Sequence, residues 1–262
     1  MNGITGLFKS SLGVKFIMAA TGVVLFLFVI GHLLGNLQVF GPPEMINRYG
    51  HFLKSVPELL WGVRLFLLFC VTLHILSALH LAMVNKRARP VGYASSSAYG
   101  STWQSRYTLM SGIVVLAFIV YHLAHFTVLM PGINGVGDFT KLETTLPGGI
   151  QTHDVYAMMV LGFQVWWVSL FYIIAQGLLF VHLSHGVASM FQSLGFRNHV
   201  WTPRIERFAK IASIAIFIGY SLIPICIYMR VIGADYAEKA KFELKSAAMV
   251  EPAASASKEG GN

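Results

Sequence analysis

The stretch Thr21-Gly-Val-Val-Leu-Phe-Leu-Phe-Val-Ile-Gly-His32-Leu-Leu decides how the rest of the chain is interpreted. It lies in a run, residues 16–40, that contains no charged side chain. A helix of this length spans a hydrocarbon core of about 30 Å. In lipid, a helix also satisfies its backbone polar groups internally. The stretch therefore predicts a transmembrane helix that contains a histidine.

A second stretch, Ser111-Gly-Ile-Val-Val-Leu-Ala-Phe-Ile-Val-Tyr-His122-Leu-Ala, repeats this pattern. In both stretches a glycine, Gly22 or Gly112, precedes the histidine by ten residues. Two further apolar runs contain Leu73-His74-Ile-Leu-Ser77 and Val181-His182-Leu-Ser184. The apolar runs that contain His32 and His74 thus resemble, in order, those that contain His122 and His182. This is a weak internal repeat, and a fifth apolar run is an addition to it.

Composition agrees with a membrane protein. Of the 262 residues, 55% are hydrophobic and 11% are charged, against about 25% charged in soluble domains, and the mean hydropathy is +0.64. This argues against a water-soluble enzyme. The two cysteines, Cys70 and Cys226, lie in apolar runs and imply neither a disulfide framework nor a thiolate metal site.

The apolar pattern predicts an all-α integral membrane protein with five transmembrane helices, four of them forming a bundle around the histidines. The five segments are residues 16–40, 65–84, 107–133, 155–196 and 211–229. The fourth is longer than one span needs, so we expect it to tilt or to project into water. Pro224 should kink the fifth. The N-terminal run is too long for a cleavable signal peptide, and we interpret it as a retained first span.

The chain has 19 Lys and Arg against 11 Asp and Glu, and in a membrane protein this excess first indicates topology. The basic residues on one side of the predicted spans are Lys9, Lys15, Lys86, Arg87, Arg89, Arg106, Arg197, Arg204, Arg207 and Lys210. The opposite loops contain Arg48, Lys54, Arg64 and Lys141 together with most of the acids. We therefore expect the N-terminus in the cytoplasm and the C-terminus outside, in a bacterial cytoplasmic membrane, and no nucleic-acid partner. Residues 1–232 form the predicted membrane domain, and residues 233–262 a polar, weakly ordered tail.

Four spans that each contain an intramembrane histidine indicate function, because an imidazole in lipid is costly. By depth, His32 and His122 lie nearer the outer surface, and His74 and His182 nearer the inner surface. Two imidazoles facing each other across a four-helix interior suit the axial positions of a b-type haem. The sequence predicts two haem b groups and electron transfer. On spacing alone, His80 could replace His74, and His185 could replace His182.

Gly22 and Gly112 lie about 15 Å along a helix from their histidines, near the depth of the inner pair. A small residue there would let a porphyrin approach the backbone, although glycine is also common at membrane helix interfaces. Zinc is the competing metal, since His122 with His125 and His182 with His185 have one-turn spacing. The spans offer no carboxylate for a tetrahedral set.

The order and spacing of these residues resemble a known family. The matching stretches are Val29-Ile-Gly-His32-Leu-Leu-Gly-Asn36, Tyr49-Gly-His51-Phe-Leu-Lys-Ser-Val-Pro57, Leu73-His74, Tyr121-His122-Leu, Phe180-Val-His182-Leu-Ser-His185-Gly186 and Thr202-Pro203. Over residues 10–229 the chain resembles the cytochrome b membrane-anchor subunit of succinate:quinone oxidoreductases and fumarate reductases, of the single-chain, five-helix, two-haem type.

The resemblance implies that His32 and His122 bind the distal haem, and that His74 and His182 bind the proximal haem near an iron–sulfur subunit. It also implies flavoprotein and iron–sulfur partner subunits, a membrane quinone (menaquinone is the expectation) and lipid contacts. The basic inner loops would dock the soluble subunits. This chain has no dinucleotide fingerprint and no cluster-binding cysteine set, so it would not act on succinate alone.

A quinone site needs a proton donor or acceptor beside an apolar slot. The candidates on the outer side are Glu58, His51 and Arg64, with Trp61 as a wall. Glu58 has an ordinary structural explanation as well, since a carboxylate at a helix start is favoured by the dipole.

Two other functions remain open. One is a di-haem quinone cytochrome of another oxidoreductase, of the nitrate or heterodisulfide reductase type. The other is a haem-free transporter or metal carrier, which predicts polar or acidic residues along a path through the spans.

Overall fold

A computed structural model describes the backbone of residues 10–88 and 103–259, and the side chains of 10–88 and 107–246. The helices in these ranges are α1 (Ser11–Asn36), α2 (Pro43–Ser55), α3 (Pro57–Arg87), α4 (Trp103–Phe126), α5 (Val155–Gln164), α6 (Trp166–Ser193), α7 (Thr202–Tyr228) and α8 (Ala234–Glu259). Two short 3₁₀ helices, Leu37–Phe40 and Phe139–Lys141, and a hairpin of β1 (Glu143–Leu146) and β2 (Ile150–His153) complete the set. Lys9, Arg89 and the side chain of Arg106, all in the predicted basic set, lie outside the described residues.

Five of the described helices are long and apolar enough to cross a membrane. They cover Ser11–Phe40, Pro57–Arg87, Tyr107–Phe126, Trp166–Ser193 and Thr202–Tyr228. Large apolar side chains point outward from them, such as Leu68 and Phe69, each 59% exposed. A soluble monomer rarely exposes such contiguous apolar surface. The multi-pass helical part of the predicted fold is thus confirmed, while the di-haem bundle and the membrane orientation stay predictions.

The fourth predicted segment is two helices rather than one long tilted span. The backbone of Val165 is extended, with ψ 114°, and it separates α5 from α6. Residues 156–163 of α5 are all buried within the protein, and a ten-residue helix is too short to cross a bilayer. The apolar character of α5 therefore comes from its place in a protein core. Of the two helices, only α6 is long enough to span a membrane.

The loop before α5 contains the hairpin, which the all-α prediction did not include. Thr144 pairs with Thr152, and Leu146 pairs with Ile150. The turn uses Gly148 and Gly149 at φ of 99° and 79°, a region that glycine enters without steric cost.

The tail also differs from the prediction, because residues 234–259 are helical. Ala, Glu and Lys favour helix, and the composition of this segment was interpreted only as polar. Four side chains at helical spacing, Tyr236, Ala237, Ala240 and Leu244, pack against the core that contains α5. The boundary between residues 232 and 233 stays a prediction.

The chain divides into two compact units. The first contains Met1–Leu33, Pro57–Leu116 and Gln176–Ile218. The second contains Leu34–Val56, Ala117–Ala175 and Gly219–Asn262.

The core of the second unit is built on α5. Asp154 caps this helix by accepting a hydrogen bond from the Ala157 amide at 2.9 Å. The same carboxylate accepts from Asn47 Nδ2 at 3.0 Å and from the Tyr236 hydroxyl at 2.6 Å. Burial and the neighbouring carboxylate raise the pKa of Tyr236 above its ordinary value, so the hydroxyl keeps its proton and donates. One acid thus connects α2, α5 and α8.

Candidate functional site

In the first unit, α1 holds the ring of His74 on α3. The Nδ1 atom of His74 lies 3.1 Å from the Met18 carbonyl oxygen and 3.3 Å from Thr21 Oγ1. The Thr21 hydroxyl itself donates to the carbonyls of Ile17 and Met18 at 2.8 and 3.1 Å. Its oxygen lone pair is therefore turned toward the ring.

The corresponding residues of the repeat hold His182 on α6. Its Nδ1 atom lies 3.3 Å from the Thr108 carbonyl oxygen and 3.4 Å from Ser111 Oγ, both on α4. Ser111 donates its own proton to Thr108 at 3.0 Å. Each histidine thus has the same kind of acceptor pair, which is a carbonyl and a hydroxyl three residues later.

These acceptors fix the tautomer of both rings. A carbonyl oxygen can only accept, so the Nδ1 atoms of His74 and His182 must each bear a proton. In a neutral imidazole the other nitrogen, Nε2, then has the lone pair. Metal-ligating histidines nearly always donate their other ring N–H to a carboxylate, a backbone carbonyl or water, and the contacts with the Met18 and Thr108 carbonyls are of this kind.

The rings of His74 and His182 are in edge contact. Their centroids are 6.4 Å apart, with an interplanar angle of 69°. Two metal–nitrogen bonds of about 2 Å, plus the distance from each ring centre to its nitrogen, also give a separation of about 6 Å. The spacing therefore fits one metal ion between two axial imidazoles.

Gly22 and Gly112 touch these rings directly. A Cβ at Gly22 would lie 3.5 Å from His74 Cε1, and one at Gly112 would lie 3.2 Å from His182 Cε1. The sequence placed both glycines at the depth of the inner pair, and the structure agrees. Their immediate neighbours are the imidazoles, so they give the rings room against α1 and α4.

The described residues lack the clustered donor set that zinc prefers. Among the described side chains, no group of three or more His, Cys, Asp or Glu could hold a metal ion. Of the alternatives, His80 is exposed, and His185 Nε2 lies 3.0 Å from Ser189 Oγ in its own helix. Neither has the ring-to-ring contact that joins His74 to His182.

In the second unit, His122 lies in a different kind of cluster. Its Nδ1 is 3.3 Å from the Tyr172 hydroxyl oxygen. The same oxygen is 3.1 Å from Nδ1 of His125, one turn further along α4. Tyr172 and His125 are buried, at 3% and 0% exposure, so one phenol bridges two histidines in an apolar environment.

His32 belongs to the first unit. Its ring stacks on Phe28 with centroids 5.3 Å apart and an interplanar angle of 19°. Because His122 belongs to the second unit, the pairing of His32 with His122 stays a prediction.

The proposed quinone residues do not form a closed slot within either unit. In the first unit Trp61 and Arg64 are in contact, with the guanidinium carbon 5.2 Å from the ring centroid. Glu58 is exposed at the start of α3. His51 lies on α2 in the second unit and is half-buried. The quinone site stays a prediction.

The basic loop after α6 contains an internal ion pair. Arg197 bonds the carboxylate of Glu206 and donates to Gln192 at 2.8 Å. Arg204 stacks over Trp201 at 5.2 Å. Part of the positive charge is therefore used within the loop.

Comparison of the chain with protein-family models, curated proteins and solved structures gives no match. The resemblance to cytochrome b anchors therefore stays a prediction.

Sequence reasoning missed the groups that position the histidines. The hydroxyls of Thr21 and Ser111 were visible as aligned repeat positions directly before the glycines, and this alignment could have revealed them. Tyr172 had no comparable signal, because nothing in the sequence connects an aromatic residue of α6 with His122.

Proposed function

We propose that the chain is the cytochrome b membrane-anchor subunit of a succinate dehydrogenase or fumarate reductase. It would pass electrons between an iron–sulfur subunit and membrane quinone through two b haems. The observation that carries the haem part is the neighbouring pair His74 and His182, each with its Nδ1 proton donated to a carbonyl. The resemblance of the histidine stretches carries the succinate part.

The chain's own residues prepare the site for axial ligation. Met18 and Thr108 orient the two rings through their carbonyls, and Thr21 and Ser111 add a second acceptor to each ring. Haem b, when bound, supplies a one-electron carrier that alternates between ferric and ferrous iron. His74 and His182 would hold the iron through two protein nitrogens, and such a site would favour electron transfer over oxygen chemistry.

A division between subunits follows from what this chain provides. The apolar segments 16–40, 65–84, 107–133, 155–196 and 211–229 contain no charged side chain that could bind a dicarboxylate. The partners would supply the flavin and the iron–sulfur clusters. Lys86 and Arg87 at the end of α3 and Lys210 on α7 are candidate docking positions.

The first experiment is a reduced-minus-oxidised spectrum of the purified full-length chain, with haem counted per polypeptide. Two low-spin b haems are the expected result, and absence of haem would sink the proposal. His74→Ala and His182→Ala should remove the same spectral component, and His32→Ala and His122→Ala the other. His80→Ala is the matched control and should keep both.

A second experiment separates the succinate assignment from other di-haem cytochromes. The tagged chain is purified from its native membrane under mild detergent, and the co-purifying subunits are identified. A flavoprotein and an iron–sulfur subunit with succinate:quinone activity are expected. Nitrate or heterodisulfide reductase subunits would replace this assignment and leave the haem assignment intact.

A further inference from the structure

The buried cluster of His122, His125 and Tyr172 contains a histidine that axial ligation does not use. His125 is fully buried, and its Nε2 atom has no hydrogen-bond partner among the described residues. Its Nδ1 bonds the Tyr172 hydroxyl at 3.1 Å. A buried polar ring with one nitrogen unsatisfied needs an explanation.

His125 is not itself placed to hold a ligand. The ring stacks on Phe126 with centroids 3.9 Å apart, and on Phe139 at 5.9 Å. A Cβ at Gly162 would lie only 3.2 Å from its Nε2, so the backbone of α5 closes the space beyond that nitrogen. Among the described residues, the hydrogen-bond partner of His125 is the Tyr172 hydroxyl.

We propose that Tyr172 is a positioning residue for His122, and that His125 acts behind it by fixing the direction of the hydrogen-bond chain. In this series of hydrogen bonds, His122 Nδ1–H donates to the Tyr172 oxygen, and the Tyr172 hydroxyl donates to His125 Nδ1. This inference rests on the proposed function, in which His122 is an axial ligand.

Proton counting supports that direction. Each neutral imidazole has one N–H, and the phenol has one O–H. If the hydroxyl proton is used within this cluster, the two contacts to Tyr172 run one way or the other. If His125 donates to Tyr172 and Tyr172 donates to His122, the proton of His122 lies on Nε2, and this nitrogen cannot bind iron. The opposite direction leaves the Nε2 lone pair of His122 for the metal, and it places the proton of His125 on its buried Nε2.

These hydrogen bonds also affect the electronic character of His122 as a ligand. An acceptor on Nδ1–H increases the basicity of a metal-bound imidazole and thereby stabilises ferric iron. Removing the hydroxyl should raise the midpoint potential of the haem that His122 binds. Partners of this kind typically change metal affinity or activity by 10–100-fold. A tenfold change in the oxidised-to-reduced ratio corresponds to about 59 mV for one electron.

The test is a redox titration of the purified full-length chain carrying Tyr172→Phe, followed by the electron paramagnetic resonance spectrum of each ferric haem. We expect an upward shift of about 59 mV in the component that His122→Ala abolishes, with the other component unchanged. Tyr121→Phe is the matched control, because the Tyr121 hydroxyl donates to the Ile133 carbonyl at 3.1 Å. No shift in Tyr172→Phe, an equal shift in both components, or the same shift in Tyr121→Phe would each overturn the proposal.

A second pair of variants covers the case in which Tyr172→Phe fails to fold or loses the component. His125→Gln keeps an acceptor for the Tyr172 hydroxyl, and His125→Leu removes it. The proposal requires a larger shift in His125→Leu than in His125→Gln, and equal shifts would refute it. If the unaltered chain contains no haem, the proposed function itself has failed, and this outcome is distinct from an unchanged potential.

Discussion

The two units hold their histidines by different chemistry. In the first unit, His74 and His182 each donate Nδ1–H toward a backbone carbonyl, at 3.1 and 3.3 Å. In the second unit, the Nδ1 partner of His122 is the side-chain hydroxyl of Tyr172 at 3.3 Å. A carbonyl only accepts, whereas a hydroxyl both donates and accepts.

This difference affects how sensitive each histidine site is to substitution of its neighbours. The carbonyl acceptors of the first unit belong to the backbone of α1 and α4, so a side-chain substitution does not remove them. In the second unit one buried phenol determines the direction of two hydrogen bonds. We therefore expect the second unit's histidine to be the more sensitive to single substitutions around it.

The largest expected effect comes from removing a histidine and supplying free imidazole. His182→Gly should lose its haem component, and imidazole should restore it, because the Thr108 carbonyl and the Ser111 hydroxyl remain to orient the added ring. His122→Gly should also be restored, but the double variant with Tyr172→Phe should not. Absorption spectra during imidazole titration measure both results. Equal rescue of the single and the double variant would contradict the comparison.

The next effect tests how the second unit depends on α5. Asp154→Ala removes the cap of this helix and leaves the donors of Asn47 and Tyr236 without their partner. Losing a buried network of this kind should destabilise the second unit by about 3 kcal/mol. Thermal unfolding in detergent measures this, with haem absorbance followed in parallel.

The haem component assigned to His122 should be lost at a lower temperature than in the unaltered chain, while the component of His74 and His182 should melt as before. Asp138→Ala is the matched control, because its carboxylate accepts hydrogen bonds from the exposed Thr140 nearby. Simultaneous loss of both components would show that the units do not respond separately.

A smaller effect is expected at the two glycines that contact the first unit's rings. A Cβ at Gly112 would lie 3.2 Å from His182 and must displace the ring, whereas at Gly22 the 3.5 Å distance to His74 is ordinary contact. Gly112→Ala should therefore weaken haem retention about tenfold, and Gly22→Ala should leave it nearly unchanged. Gly186→Ala, with no atom within 4 Å, is the control. Haem transfer to a scavenging protein gives the rates, and equal rates for the two glycine variants would contradict the geometry.

Much of the fold could be predicted from the lengths of the uncharged apolar runs. The apolar runs around His32, His74, His122 and His182 predicted the membrane helices, since lipid accepts few other structures. The division of residues 155–196 could not be predicted, because a helix buried in protein and one buried in lipid are equally apolar. The helical tail was missed for a related reason: Ala and Tyr at helical spacing are a weak signal in a polar segment.

The candidate site was predictable where local sequence encodes it. His74 and His182 could be paired by depth, because position along a helix fixes depth. Tyr172 could not be predicted, since its contact with His122 joins residues far apart in the chain and depends on the packing of α4 against α6. Choosing His74 over His80 needed the resemblance, because spacing left both open, and the structure adds that only His74 contacts His182.

The smallest expected effect concerns the hydroxyls that support the first unit's carbonyl bonds. Ser111→Ala and Thr21→Val each remove one of two acceptors on a ring nitrogen, and the remaining carbonyl keeps the tautomer. A single neutral hydrogen bond contributes about 1 kcal/mol, so each variant should change haem retention by less than tenfold. Ser111→Ala should have the larger effect, because the carbonyl contact of His182, at 3.3 Å, is longer than that of His74, at 3.1 Å. Ser184→Ala is the control, since that hydroxyl bonds only the Val181 carbonyl of its own helix. If Ser111→Ala abolished the component as His182→Ala does, the hydroxyl and not the backbone would hold the ring, and the contrast between the two units would disappear.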